Sequence, residues 1–377
     1  MIVELREGSS LSVARRWKSI NGFAAEITAA NLEQLEHDPN VVSITADLPG
    51  GGALAESVPL IGGNLVRGMG YTGAGVTVAV LDSGIARSHP DFAGAVVDEH
   101  CNCRNSDGTG CCPNGQVEQS GPGAAADDHG HGTAVSGVLA GRGAVASFGV
   151  APGVQIVAVK VLDRNNRFAG TSQVLSGLDW LMTNHPEVRV VNMSLLTDSH
   201  FAGSCDGLFG AFRQAIETLR SRGTLVFACS GNTGSASSMG SPACVSATVA
   251  VGAVWDAAQP GVDCGGSIVA DRVTCFSDSD PTLDLLAPGA LIRTSGFTGG
   301  TLTTSGTSFA SPHAAGAAAV LIGLMPSLTA EQVESLLKAT GKRLVDSKNG
   351  IVTPRVDVFA AVQSLLTPHP RRRAVAP

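Results

Sequence analysis

The stretch Val78-Ala79-Val80-Leu81-Asp82-Ser83-Gly84-Ile85 is an unbroken apolar run that ends in a carboxylate and a small-residue turn. With no alternation of polar and apolar positions, such a run reads as a strand covered on both faces. Working outward, runs of the same kind recur over residues 76–81, 155–161, 188–193, 224–229 and 247–254, each five to eight residues long and rich in valine, isoleucine or alanine. Helix-length stretches separate them. That alternation predicts an α/β fold, a doubly wound parallel sheet with helices on both faces. In such sheets ligands sit beyond the carboxyl ends of the strands, so the polar residues that close these runs are the first candidates for chemistry.

Bulk composition is consistent with this fold and narrows the function. At 377 residues, 44% of them hydrophobic and 15% charged, with 47 glycines, the chain suits one large turn-rich domain plus a small appendage, not disorder or a coiled coil. A net charge of −7 argues against nucleic acid as a partner. No apolar run reaches 18 residues; residues 314–325 read as a buried helix, so no membrane span is expected and the chain reads as a soluble monomer. Nine cysteines, clustered as Cys101, Cys103, Cys111 and Cys112 and then Cys205, Cys229, Cys244, Cys264 and Cys275, point to disulfides and a secreted or otherwise extracytoplasmic setting. Zinc is the alternative for the first cluster, which lacks the paired Cys-x2-Cys knuckles such sites use. Met1 to Leu5 runs straight into Arg6 and Glu7, so no export signal is visible there; either it has been removed from this chain or export takes another route.

Residues 1–48 read as a separate small α+β unit: a strand over 2–5, a second over 22–27, Thr28 capping a helix over 29–37 that must stop before Pro39, and a third strand over 41–45. Residues 49–57, opening Pro49-Gly50-Gly51-Gly52-Ala53, read as a linker, and 58–366 as the main domain. The proline- and arginine-rich end, 367–377, reads as a disordered tail.

Three further segments join the Asp82 strand. His131 sits between glycines in Asp127-Asp128-His129-Gly130-His131-Gly132-Thr133 and opens an apolar helical pattern. Asn232 tips the strand-to-turn sequence Phe227-Ala228-Cys229-Ser230-Gly231-Asn232. Ser308, in Ser305-Gly306-Thr307-Ser308-Phe309-Ala310-Ser311-Pro312, leads into the helix at 314–325, where free N–H groups and the positive dipole end favour a developing oxyanion. Taken singly, Asp82 reads as well as a turn cap and His131 as a structural histidine. Taken together they fit a nucleophile, its base and the carboxylate that fixes the base's tautomer.

Asp-Ser-Gly at 82–84, His-Gly-Thr at 131–133, Ser-Gly-Asn at 230–232 and Gly-Thr-Ser-x-Ala at 306–310, in this order, resemble the subtilase family of serine endopeptidases over roughly residues 58–366. Residues 21–28 and 38–42 in turn resemble the inhibitory propeptide of those enzymes. The resemblance implies a zymogen that cleaves itself between about Asp47 and Ser57. It also implies a catalytic set of Asp82, His131 and Ser308 with Asn232 as oxyanion donor, and no cofactor for the chemistry. His131, not His129, carries the following Gly-Thr; His129 is expected at the groove rim. The substrate peptide is expected to add as a strand to Phe168-Ala169-Gly170 and Ser194-Leu195-Leu196, next to Ser230 and Gly231. The family usually has glycine where Leu196 stands, so its bulk should narrow the groove. The loop 233–242 holds no Asp or Glu, which implies an uncharged or hydrophobic residue on the acyl side of the scissile bond.

Residues 141–149 lack the asparagine-rich segment of the family's tight calcium site, whereas Asp284 matches a position that can hold a weaker structural calcium. Two bridges of open connectivity are expected within the first cysteine cluster, with Cys264 to Cys275 and Cys205 to Cys244 beyond it and Cys229 left as a buried thiol. Two competing motifs fail on context. Gly68-Met69-Gly70-Tyr71-Thr72-Gly73 spells a dinucleotide fingerprint but precedes its strand, and Ala310 stands where a lipase-type elbow needs glycine.

Overall fold

The computed structural model describes residues 2–5, 22–24, 28–45 and 54–367. The chain divides into two compact units, Met1–Gly51 and Gly52–Pro377. In the first, Ile2–Leu5 is the middle strand of a three-stranded antiparallel sheet, flanked by Gly22–Ala24 and Val41–Thr45. The helix Ala29–Glu36 starts where Thr28 Oγ1 accepts the Asn31 N–H. Residues 25–27, expected to extend the second strand, lie outside the described residues, as do the glycine run at 50–52 and the tail from 368. The linker expectation is corrected at its far end, because residues 54–57 are already helical in Leu54–Leu60.

The second unit is built on a ten-stranded sheet ordered Lys342–Val345, Val352–Arg355, Leu285–Pro288, Val249–Val254, Leu225–Cys229, Val188–Met193, Thr77–Asp82, Gln155–Lys160, Val96–Asn102 and Glu118–Ser120. The inner strands pair in parallel and only the two edges pair antiparallel. All five expected strands are present, moved by a residue or two at their ends. The strands at 96–102, 285–288 and 352–355 and both edge strands escaped notice because they lack a long apolar run.

Two apolar layers cover the sheet. The helices His131–Ala140, Thr307–Leu324 and Val358–Leu366 pack on one face with Val78, Ile156 and Val251. Thr171–Asn184 and Gly210–Ser221 pack on the other with Leu81, Val159 and Val191. The helix expected from 314 begins seven residues earlier, at Thr307, and runs 18 residues. By length and composition it could cross a membrane, but 83% of it is buried inside the domain, so it is a core helix. Pro312 hid its first turns from the sequence pattern, since proline removes a helical N–H.

Four disulfides join Cys101 to Cys112, Cys103 to Cys111, Cys205 to Cys244 and Cys264 to Cys275. The first two resolve the connectivity left open in the clustered cysteines. Cys229 is free and buried.

Candidate active site

Asp82 is the last residue of the central strand Thr77–Asp82, and the helix His131–Ala140 starts against the turn that follows it. Close approach is possible because residue 132 is glycine: a Cβ there would lie 2.2 Å from Gly84 O and 3.0 Å from Asp82 Cβ. His131 Nδ1 therefore reaches Asp82 Oδ1 at 2.7 Å, and the same oxygen accepts the Ser83 N–H at 2.7 Å.

A second carboxylate holds the pair in register. Asp127 Oδ1 accepts from Ser83 Oγ at 2.9 Å, His129 N–H at 3.1 Å and Gly130 N–H at 2.8 Å. Its Oδ2 accepts from the Thr133 N–H at 3.0 Å and Thr133 Oγ1 at 2.5 Å. One side chain thus ties the Asp82 turn to the first turn of the histidine helix. Burial works against the Asp127 charge, but the bonds from Thr133, Gly130, His129 and Ser83 outweigh it and hold the carboxyl below its ordinary value. Burial likewise works against a charged His131; the Asp82 charge, the Asp82 hydrogen bond and the Asp127 charge outweigh it and raise the imidazole above its usual value.

Beneath this pair lies the buried Lys160, whose Nζ donates to Ser83 O at 2.7 Å and Asp128 Oδ1 at 2.6 Å. It fastens the same two segments from the sheet side. Sequence reading gave no role to Asp127 or Lys160. An Asp four residues ahead of a helix start was a usable signal for the first; a lysine ending an apolar run offered none for the second.

Ser308 is the second residue of its helix, so its N–H lies in the first turn, where no intrahelical carbonyl is available. Pro312 cannot donate to the carbonyl four residues back, which is that of Ser308, and Ser194 Oγ fills the vacancy at 2.7 Å. The Ser308 hydroxyl itself approaches Ser194 O at 3.5 Å and Cys229 Sγ at 4.0 Å. Burial pushes the Cys229 thiol up to about 12, so beside the hydroxyl it is an uncharged, unreactive neighbour. Asn232 is oriented by its own acceptor: Oδ1 takes the Thr307 N–H at 2.8 Å and Thr307 Oγ1 at 2.9 Å, which leaves the amide N–H groups for the groove.

A groove of about 580 Å³ runs past Ser308 and Asn232, its lining including Phe168, Ala169 and Gly170 and also Ser194, Leu195 and Leu196. Ser230 and Gly231, expected next to the substrate, are buried with their backbone groups bonded inside the fold: Ser230 N–H on Val251 O, Gly231 N–H on Thr307 Oγ1, and both carbonyls on the N–H groups of Gly240 and Asp278. The His129 ring is 6.4 Å from that of His131. The expectation for Asp284 is corrected on its donor set. One carboxylate oxygen takes Lys338 Nζ at 2.6 Å and the other the Ala250 N–H at 2.8 Å, so an ammonium already supplies the positive charge and the residues do not fit a calcium site.

Behind the groove, the buried Asp278 accepts from Thr233 N–H at 2.9 Å, Thr233 Oγ1 at 2.8 Å and Ser235 N–H at 2.8 Å. Its other oxygen lies 2.8 Å from His200 Nε2, a close contact outside hydrogen-bond alignment, and His200 lines the groove. The absence of acidic residues from 233–242 thus missed a carboxylate delivered from elsewhere in the chain.

The model of the Subtilase family matches residues 73–355, and that of Peptidase inhibitor I9 matches residues 5–49. Subtilisin E of Bacillus subtilis (strain 168) is 33% identical over 344 residues, covering 89% of this chain and 79% of that protein. The extracellular serine proteinase of a Thermus species is 33% identical over 335 residues, covering 85% of this chain and 70% of its own. The crystal structure of a cold adapted subtilisin-like serine proteinase superposes with a TM-score of 0.57 at 30% identity, over 75% of this chain and 89% of the other. With one family spanning most of the main unit and a second the front unit, the chain belongs to the subtilase family and is a subtilisin-like serine endopeptidase preceded by an I9 inhibitor domain.

Proposed function

We propose that Ser308 is the nucleophile, His131 its general base and then general acid, Asp82 the carboxylate that fixes the imidazole, and Asn232 the side-chain oxyanion donor. The observation that carries this is the 2.7 Å contact of His131 Nδ1 with Asp82 Oδ1, which presents Nε2 as the working nitrogen at a site where Ser308 and Asn232 line one groove. In the reaction the Ser308 hydroxyl turns from Ser194 O to His131 Nε2, gives up its proton there and attacks the scissile carbonyl. The oxygen that gains charge receives the Asn232 amide and the Ser308 backbone N–H, donors already aimed before substrate arrives. Proton return from His131 releases the amine, and water then repeats the sequence on the acyl-enzyme.

Substrate lies along Phe168 to Gly170 and Ser194 to Leu196 as an added strand, with an uncharged or hydrophobic residue on the acyl side, a preference that the apolar Phe168, Leu195 and Leu196 in the lining support. The I9 domain supports a zymogen that its own activity processes between Asp47 and Ser57, with the propeptide as intramolecular inhibitor. Four disulfides and an extracellular relative support secretion; in the same proposal the enzyme is a monomer that acts on proteins or peptides, not on nucleic acid or a membrane. The test is Ser308→Ala in the full chain. Peptide hydrolysis should fall on the order of 10⁶-fold, the figure triad removal gives in subtilisin itself, and the chain should stay uncut. Retention of a tenth of the turnover, or an unchanged processed N-terminus, refutes the assignment.

A further inference from the structure

We propose that Leu196 is a specificity-determining residue that fills the acyl-side pocket and restricts this enzyme to small residues, alanine-sized or smaller, at that position. The inference rests on the reading above, in which Ser308 attacks a carbonyl bound in this groove.

Three observations carry it. Leu196 and Asn232 both line the groove that holds Ser308, and in the proposal the side chain of the residue bearing the attacked carbonyl lies against the leucine. Leu196 also lies flat on Gly240: a Cβ on residue 240 would be 2.6 Å from Leu196 Cδ1 and 2.9 Å from its Cβ. Gly240 is buried and does not line the groove, whereas Leu196 does. The leucine is therefore the floor, and the space that Gly240 would otherwise open is taken.

The floor is also fixed. Leu195 is buried in the core, so residue 196 cannot slide along the wall. Thr197 N–H donates to Ser241 O at 2.8 Å and the Ser241 N–H to Thr197 Oγ1 at 3.1 Å. His200 and Phe201 pair antiparallel with Gly240 and Met239, so the segment carrying Leu196 is stitched to the segment carrying Gly240 at both ends. The far wall is equally set, with the Thr233 loop hung on Asp278 and His200 packed against the same carboxylate. An aromatic or long aliphatic acyl-side residue would have to displace a leucine whose segment is bonded to the segment of Gly240. Exclusion by a filled pocket discriminates without any attractive contact to the preferred substrate.

The experiment uses four acylated tetrapeptide p-nitroanilides that differ only in the residue bearing the anilide: alanine, valine, leucine or phenylalanine. Each is given to wild type, Leu196→Gly and Leu196→Ala, and kcat/KM is compared as a ratio between substrates, which cancels any difference in the active fraction. Wild type should prefer alanine over phenylalanine by roughly tenfold or more, and Leu196→Gly should shift that ratio toward phenylalanine by about 10- to 100-fold, with Leu196→Ala between them. A wild type that cleaves the phenylalanine substrate as well as the alanine one overturns the proposal. So does a Leu196→Gly ratio unchanged within about twofold. Cleavage with the wrong preference leaves the serine peptidase reading standing, while failure to cleave any of the four, in a chain that Ser308→Ala leaves no worse, refutes that reading and this one with it.

Discussion

Asp127→Asn keeps the shape of the side chain that ties the Asp82 turn to the His131 helix and removes its charge. Asparagine Oδ1 can retain the three donors now on that oxygen, Ser83 Oγ and the N–H groups of His129 and Gly130. Its Nδ2 then faces the Thr133 N–H, a donor 3.0 Å away that no longer has an acceptor. One unsatisfied N–H at a mostly buried site and the loss of charge assistance on the others amount to about 2–4 kcal/mol of stability. The kinetic consequence has a definite sign. In the proposed mechanism His131 acts as a base only when neutral, and the Asp127 charge is among the causes that hold its pKa above the ordinary value. Removing that charge lowers the His131 pKa, so the acid limb of kcat/KM moves to lower pH. Urea unfolding of the Ser308→Ala background, where self-cleavage cannot interfere, measures the first effect; a pH profile of kcat/KM on a neutral peptide substrate measures the second. An acid limb that stays in place or moves to higher pH would refute the role given to Asp127, as would a stability loss below about 0.5 kcal/mol.

Burial, and then the charge of Glu56, push the Asp256 carboxyl up to about 6. A carboxyl raised in the fold contributes its full stability at low pH and loses it as pH rises through the folded value, so the ionised form is a burden above about pH 6. Asp256→Asn should therefore raise stability at pH 8 by at most about 3 kcal/mol and change little at pH 4; equal effects at both pH values would contradict the assignment. Phe309 follows Ser308, and its ring centroid is 5.6 Å from that of His131, with no sulfur to oxidise at this position. Wild type should keep most of its maximal turnover in dilute peroxide while Phe309→Met loses it, and equal rates of loss in the two would end that argument.

Much of this enzyme is legible in its sequence because its decisive features are local. Unbroken apolar runs mark the parallel strands, and Asp82, His131, Asn232 and Ser308 sit at strand or helix ends where short motifs record them. What the sequence hides is set by distant pairing. Lys160 becomes part of the site only because its strand lies beside that of Asp82 in the sheet, the two residues being register partners. Asp278 enters the back of the groove from 45 residues beyond Thr233. Ser230 and Gly231 read as substrate contacts because they adjoin Asn232 in sequence, and only the folded backbone turns their peptide groups inward. The helix start at Thr307 was obscured by Pro312, a residue the fold accommodates by giving the Ser308 carbonyl to Ser194.

Of all the assignments, that of Ser308 as the one activated hydroxyl is the most directly measurable, by reacting the processed enzyme with a fluorophosphonate and mapping the adduct by peptide mass spectrometry. The account predicts a single adduct, on Ser308, formed in step with loss of peptidase activity and greatly slowed in His131→Ala. Inactivation with the label on another residue, such as Ser194 or Ser305, or labelling of Ser308 at the same rate without His131, would contradict it.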